Sequence, residues 1–286
     1  MNNLKNKVII TAALTGAVTP AGYNIPETPE DIAATAYECW KLGAAVVHLH
    51  MRDDNGIGTM DAAKFKKTIE LLRGNYPDCD VVINCTSSGA VNPTDEERMA
   101  HMKTIDEIEI GSFDAGTFNW MPNLVFMNPP KFLEKLAQCY LDRGIKPEVE
   151  IFDAGMLGIT NYYVKKGLLK APVHYQFCLG VGGGMDATVE NLQYLVSHIP
   201  EGSTWSAFGV GKGHMPILYT ALALGGNVRV GLEDNVVYGY NENGEKILAT
   251  NQMLIKRAVE AVRVYGKEPA TSAEAREILG LKPLVR

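Results

Sequence analysis

Val46-Val47-His48-Leu49-His50-Met51-Arg52-Asp53 is the stretch on which the reading of the whole chain turns. In an extended strand, residues i and i+2 point the same way, so His48 and His50 share one face while Val47, Leu49 and Met51 take the other. A run this apolar belongs in an interior, where two unpartnered imidazoles would be costly. They are either core histidines bonded to backbone carbonyls or ligands of a metal ion. His-x-His closing an apolar strand favours the metal, and further ligands must then come from elsewhere in the chain.

Outward from this strand the pattern repeats. Before it, Val8 to Leu14 reads as a strand, and Thr28-Pro29-Glu30-Asp31 opens a helix with Thr28 as cap and Pro29 in the first turn. Ile32, Ala36, Cys39, Trp40 and Gly43 form that helix's buried stripe. After it come a helix from about Asp61, a strand from Asp80 to Cys85, and a Thr94/Glu97 capping box for a third helix. Further strands are predicted at Ile105–Ile110, Val149–Phe152, Val173–Leu179, Ser203–Phe208 and Asn227–Leu232. Helices are predicted at Pro130–Asp142, Asp153–Lys166 and His214–Leu224, and a Thr271/Glu274 capping box starts a terminal helix.

About eight strands alternating with helices in 286 residues match one α/β domain, a (β/α)8 TIM barrel with an extra C-terminal helix. No linker or low-complexity tract divides residues 1–286, so a single catalytic domain is expected. A doubly wound sheet is the alternative. Polar residues on one face of several strands favour the barrel, as with Arg229, Gly231 and Glu233 against Val228, Val230 and Leu232, or Glu148 with Glu150.

Composition narrows the function. The chain is 46% hydrophobic and 21% charged, with a formal net charge of -6, which argues against nonspecific nucleic-acid binding. Five cysteines, with no Cys-x-x-Cys pair, fit neither a disulfide framework nor a zinc knuckle, so a reducing, cytoplasmic setting is expected. Lys5 and Lys7 before the apolar run Val8–Val18 imitate a secretory signal, but the run's Thr and β-branched residues suit a buried strand. No apolar stretch stays free of charge long enough for a membrane span.

Barrel active sites lie at the C-terminal strand ends. Those ends carry Thr15-Gly16, His48/His50/Arg52, Thr86/Ser87/Ser88, Asp114 to Asn119, Glu150/Asp153, two glycine loops, and Glu233/Asp234. Glu233, ending the closing strand, is placed to join the two histidines in a set of two imidazoles and one carboxylate; capping the next turn is its plainer role. Zinc suits the set, and nonheme iron and manganese accept similar ones. His101 and His198 read as helix-surface residues, and His174, which begins a strand, should lie far from the rim. The loops Gly180–Gly184 and Gly209–Gly213 precede helices; either alone reads equally as a plain tight turn, but two at adjacent rim positions favour a phosphate-bearing ligand held by Gly182, Gly183 and Gly211 amides with Lys212.

With these residues in hand, the chain resembles the β-keto acid cleavage enzymes, the family that includes 3-keto-5-aminohexanoate cleavage enzyme. The resemblance rests on Thr11-Ala12-Ala13-Leu14-Thr15-Gly16-Ala17, His48-Leu49-His50-Met51-Arg52, Thr86-Ser87-Ser88-Gly89-Ala90-Val91, Ala115-Gly116-Thr117-Phe118-Asn119, Pro147-Glu148-Val149-Glu150 and Val228-Arg229-Val230-Gly231-Leu232-Glu233-Asp234-Asn235. It implies a zinc-dependent TIM barrel, homo-oligomeric as a tetramer or larger. Its reaction converts a β-keto acid and acetyl-CoA into acetoacetate and a new acyl-CoA. By the same resemblance His48, His50 and Glu233 hold the metal, and Arg229, Asp234 and the Thr86 hydroxyl move the proton.

Thr117 and Asn119 are implied substrate contacts, joined by Ser87, Gly89 and Glu150 from the quoted motifs, and the glycine loops with Lys212 receive CoA phosphates. Two departures stand out. Thr86 occupies the family's catalytic serine position, with Ser87 as the fallback hydroxyl. Val18 occupies the position where the aminohexanoate enzyme meets its substrate's amino group with an acid, so a substrate without that amino group is expected. Phe118, Trp120 and Tyr23 are candidates to line the specificity pocket, although aromatic residues near a rim are more often ordinary packing. The competing readings are an amidohydrolase-like metal-dependent hydrolase, whose His-x-His would follow the first strand and recruit further histidines, and a noncatalytic thioester-binding barrel.

Overall fold

Eight parallel strands hydrogen-bond in sequence order and close on themselves: β1 (Ile10–Ala13), β2 (Val46–Leu49), β3 (Val82–Cys85), β4 (Ile110–Asp114), β5 (Lys146–Ile151), β6 (His174–Leu179), β7 (Thr204–Gly209) and β8 (Asn227–Val230). β8 pairs with β1 through Arg229 beside Thr11, and β4 with β5 through Ser112 beside Glu148. This is the TIM barrel that the β/α alternation predicts. The computed structural model describes residues 4–18, 22–90 and 92–284; Val91 of the third quoted motif lies outside them. Among the described residues, no helix is long and apolar enough to cross a membrane.

Helices follow the strands as α1 (Pro29–Leu42), α2 (Ala62–Asn75), α3 (Asp95–Thr104), α4 (Pro130–Arg143), α5 (Gly155–Lys165), α6 (Val189–Ser197), α7 (His214–Ala223) and α8 (Asn251–Val264). Their starts obey the chemistry of the unpaired N–H groups there. Thr28 accepts from the Asp31 amide ahead of Pro29, Asp61 caps α2, and Thr94 with Glu97 forms the capping box of α3. Outward strand residues such as Val47, Leu49, Val149 and Ile151 pack with Phe65, Ile69 and the α1 stripe into the main core. All five cysteines are buried and free.

The terminal helix α9 (Ser272–Leu279), with its Thr271/Glu274 capping box, closes the N-terminal end of the barrel. Ala275 and Leu279 pack on Ile9, Val46, Val82 and Ile110, and Arg276 grips Glu109 with bonds of 2.6 and 2.8 Å. Burying Leu279 contributes about 2 kcal/mol, all of it at the end remote from the site.

Strand four departs from expectation. Ile105–Ile110 alternates like a strand, yet Ile105 ends α3 and ladder pairing begins only at Ile110. Ile105 and Ile108 are buried as apolar plugs in the connection. The shift brings Asp114 to the end of a strand. Strand eight also stops early, at Val230. A Cβ on Gly231 would lie 1.9 Å from the Ala13 carbonyl oxygen, so only glycine lets the chain turn so closely over β1. The amides of Asp234 and Asn235 then return to the Gly231 carbonyl, a tight turn that carries both Glu233 and Asp234 back over the barrel mouth.

Candidate active site

Inward-facing positions of the barrel are polar, and they converge on Arg229. This arginine is 3% exposed, and its Nε and Nη2 donate to Asp234 at 3.0 and 2.9 Å as a two-pronged clamp. Nη2 also donates to Glu233 Oε1 at 2.5 Å, while Nη1 stands 3.7 Å from Glu150. The guanidinium lies over the Phe208 ring, 4.6 Å from its centroid. Burial opposes its charge, but Asp234, Glu233 and Glu150 outweigh that and hold the proton more tightly than usual. Strand alternation alone would have sent Asp234 away from Arg229; the Gly231 turn brings it back.

His48 and His50 face Glu233 from β2 and its end, with Nε2 atoms 3.6 and 3.4 Å from Oε1. One donor atom from each of the three lies within 4.8 Å of the others. Burial pushes the His48 imidazole down to about 4 despite the pull of Glu233, so it is a neutral donor at pH 7. For Glu233, burial raises the carboxyl, but His50, Arg229 and His48 together hold it well below the ordinary range. Both Nδ1 atoms and Glu233 Oε2 lack hydrogen-bond partners among the described residues. A buried set of two imidazoles and a carboxylate, left unsatisfied by the protein, fits a divalent metal. Gly89 belongs to the same construction, since a Cβ there would press on His50 Nδ1 at 3.1 Å.

A cavity of about 340 Å³ opens over these groups, and His50, Thr86, Ser88, Asp114, Glu150, Arg229, Glu233 and Asp234 form its polar floor. Asp234 is pushed up to about 6, by burial first and against Arg229, with Glu233 adding to the rise. Glu150 accepts from Ser112 Oγ at 3.0 Å and shares a hydrogen bond with the Asp114 carboxyl. Burial and Asp114 raise Glu150 well above the ordinary range, so it carries the proton of this pair. Asp114 and Ser88, named among the strand-end residues but given no role there, both line the cavity. The misplaced fourth strand left Asp114 in a loop rather than at a strand end facing inward, and Ser88 follows Thr86 by two residues, the spacing of one extended face.

The two candidate hydroxyls separate cleanly. Thr86 reaches the cavity, its Oγ1 bonded to the Ser88 carbonyl and accepting from the Ser88 amide at 2.9 Å. Ser87 is buried away from it. Its carbonyl accepts from Arg98 Nε at 2.6 Å, and Arg98 also binds the Met127 carbonyl and Asn128 and stands 3.9 Å from Asp114. Arg98 thus ties the Thr86 loop to the loop before α4.

Other expected contacts lie elsewhere. Thr117 is exposed and accepts from the Asn128 amide, and exposed Asn119 does not line the cavity. Gly182 lines it, but Gly183 serves packing, since a Cβ there would meet the Asn119 carbonyl at 1.7 Å. The Gly211 amide is donated to Asn235, and Lys212 projects into solvent beyond the cavity. Trp120 is in the wall, whereas Phe118 backs it and Tyr23 lies outside.

His101 corrects the surface reading of α3. It is fully buried, stacks on Phe65 at 4.1 Å, and donates from Nε2 to the Thr86 carbonyl at 2.9 Å. Its Nδ1 has no partner among the described residues, and burial pushes the imidazole down to about 4. The folded state therefore keeps His101 neutral while the unfolded chain protonates near pH 6.5, so stability is lost as pH falls from 6.5 to 4. The expected loss from this residue is about 3 kcal/mol. Urea unfolding across that range should show it, and His101→Gln, which keeps a donor but cannot titrate, should remove this share of a dependence to which buried His48 and His214 also contribute. His174 is remote as expected: at the start of β6, it stands 3.5 Å from Glu148, which in turn accepts from Asn84.

Fold and site together define a barrel enzyme with a candidate metal centre beside an arginine-held acid at its mouth. The sequence comparison makes the class specific. Residues 7–281 match the model of the beta-keto acid cleavage enzyme family, and the chain belongs to that family. It is 40% identical over 282 residues to the 3-keto-5-aminohexanoate cleavage enzyme of Fusobacterium nucleatum, covering 98% of this chain and 100% of that one. It is 34% identical to the 3-dehydrocarnitine:acetyl-CoA trimethylamine transferase of Rhizobium meliloti, with 98% of each chain covered. Among solved structures, apo ObcA superposes with a TM-score of 0.79 at 20% identity, over 90% of this chain and 65% of that longer one. That likeness supports the barrel fold.

Proposed function

We propose that this enzyme transfers the acyl part of a β-keto acid to CoA, taking acetyl-CoA as cosubstrate and releasing acetoacetate, with zinc held by His48, His50 and Glu233. The observation that carries the reading is the meeting of that ligand set and the Arg229–Asp234 clamp over one cavity in a chain of this family. The activities by which the Rhizobium relative and a 31%-identical 3,5-dioxohexanoate:acetyl-CoA acetone transferase of Paraburkholderia graminis are named support acetyl-CoA as the cosubstrate.

Zinc, when bound, supplies Lewis-acid polarisation of the substrate's keto oxygen, which makes the neighbouring CH2 more acidic. Asp234 takes one proton from that CH2, its carboxylate aimed by the two bonds from Arg229, with Thr86 lining the same cavity. The carbanion attacks the thioester carbonyl of acetyl-CoA; a C–C bond forms and CoA thiolate leaves. That thiolate attacks the original keto carbon, the older C–C bond breaks, and acetoacetate departs after Asp234 returns the proton. Glu150, protonated and beside Arg229, donates a hydrogen bond at the floor without adding negative charge. Lys212, exposed beyond the cavity, and Gly182 at its wall are the groups nearest the expected path of the CoA phosphates, with Gly183 and Gly211 shaping the two loops. Ser87 and Gly89 act behind the floor.

The hydrolase alternative lacks support, because among the described residues neither His101, His174, His198 nor His214 joins the pair. A homo-oligomer is supported by apolar side chains on two rim hairpins, Met121, Leu124 and Val125 on one and Tyr240 and Leu248 on the other, each more than 45% exposed. Incubation with acetyl-CoA and β-keto acids, reading acetoacetate, tests the reaction.

A further inference from the structure

We propose that the β-keto acid carries an uncharged, apolar side chain, seated on the wall formed by Val18, Trp120, Phe126, Phe152, Val181 and Phe208. The inference rests on the reaction above, which fixes the acid's carboxylate and keto group at the polar floor and leaves this wall for the remainder of the molecule.

The wall is rigid as well as apolar. Phe118 stacks behind Phe152 with centroids 4.7 Å apart, and Trp120 meets Phe126 edge-on at 5.5 Å and 87°. Rings locked to one another hold a slot open rather than collapsing into it. The charged groups that line the cavity all have counterparts. Arg229 faces Asp234 and Glu233; His50 faces Glu233; Asp114 faces Arg98 at 3.9 Å and bonds the protonated Glu150. An ammonium or a second carboxylate on the substrate would therefore be stripped of water with no free counter-charge among the described residues. An alkyl or aryl group meets the opposite situation, since each methylene it buries displaces water from an apolar surface. The cavity of about 340 Å³ accommodates a short side chain of that kind.

The test is a panel of 3-oxo acids of matched length ending in methyl, carboxylate, ammonium or trimethylammonium. Two readouts are taken on zinc-loaded protein: kcat/KM for acetoacetate formation, and binding of each acid alone by calorimetry. Lengthening the alkyl acids should raise kcat/KM about fourfold per methylene until the cavity is full. The charged acids should fall roughly 100-fold below the methyl-ended acid of equal length. A charged acid that binds or turns over as well as its methyl-ended counterpart overturns the proposal; a trimethylammonium acid that does so would show the rings acting as a cation cage. Failure of every acid to give acetoacetate, with the alkyl acids still binding best, would strike the reaction and leave the wall assignment standing. Val18, 59% exposed at the mouth, offers a second arm. Val18→Glu should shift preference toward the ammonium acid by about tenfold relative to the methyl-ended one, and an unchanged ranking would place the side chain elsewhere and overturn the assignment.

Discussion

Arg229→Ala is expected to leave zinc content close to one per chain while lowering kcat/KM for acetoacetate formation by about 1,000-fold or more. Among the three ligands the arginine bonds only Glu233, through Oε1, and leaves Oε2 and both imidazoles untouched, whereas both of its bonds to Asp234 disappear in the variant. The carboxylate then loses its aim, and Asp234 and Glu233 lose the positive charge that compensates them inside the barrel. Breaking such a buried cluster from one side costs about 3–5 kcal/mol of stability, so folding must be checked by thermal unfolding alongside. Arg229→Lys separates the effects: it keeps the charge and should keep the fold, but a single ammonium cannot reproduce the paired N–H geometry. A lysine variant well folded, zinc-replete and roughly 100-fold slow would locate the role of Arg229 in orientation. Wild-type turnover in either variant would remove Arg229 from the mechanism.

His48→Ala should abolish both metal and activity. The imidazole is 1% exposed and kept neutral by burial, so its lone pair is available without displacing a proton. Losing it leaves one imidazole and a carboxylate, and Glu233 is then held only by Arg229 and His50. Zinc content by elemental analysis should fall to background at stoichiometric loading, with acetoacetate formation falling in parallel. The variant protein should still fold, because the core outside β2 does not depend on the imidazole. A metal-free wild-type preparation with full turnover would refute the zinc assignment directly.

These two residues also mark how far sequence alone reaches. His48 and His50 were legible because a two-residue period in an apolar strand admits few readings, and Glu233 because barrel closure brings the last strand beside the first. The helix caps at Thr28, Asp61, Thr94 and Thr271 were legible because capping chemistry is local. Where contacts depend on tertiary structure, legibility failed. His101 sits on a charged helix, and only the stack on Phe65 and the Thr86 carbonyl explain its burial. Ile105 and Ile108 imitate a strand because apolar plugs beneath a barrel obey no register. Asp114 was named at the rim, but that error hid its place beside Glu150, and with it the shared proton of the pair. The choice between Thr86 and Ser87 turned on which way a loop faces. Arg98 fixes that loop from 11 residues away.

The glycine loops show a subtler limit. Each reads as a phosphate cradle, yet Gly183 is required by the Asn119 carbonyl, and Gly213 by Ala187, whose Cβ would lie 2.1 Å from an added one. Close backbone approach and anion binding call for the same residue, so glycine spacing could not distinguish them.

The central claim is that carbon–carbon bond exchange with acetyl-CoA occurs over the His48/His50/Glu233 site. The most direct measurement follows acetyl-CoA labelled with carbon-13 in both acetyl carbons by NMR, in the presence of zinc-loaded enzyme and an unlabelled alkyl 3-oxo acid. The account predicts label in the methyl and keto carbons of acetoacetate and none in the newly formed acyl-CoA. Label appearing as free acetate, or acetyl-CoA left intact while the 3-oxo acid is consumed, would contradict it.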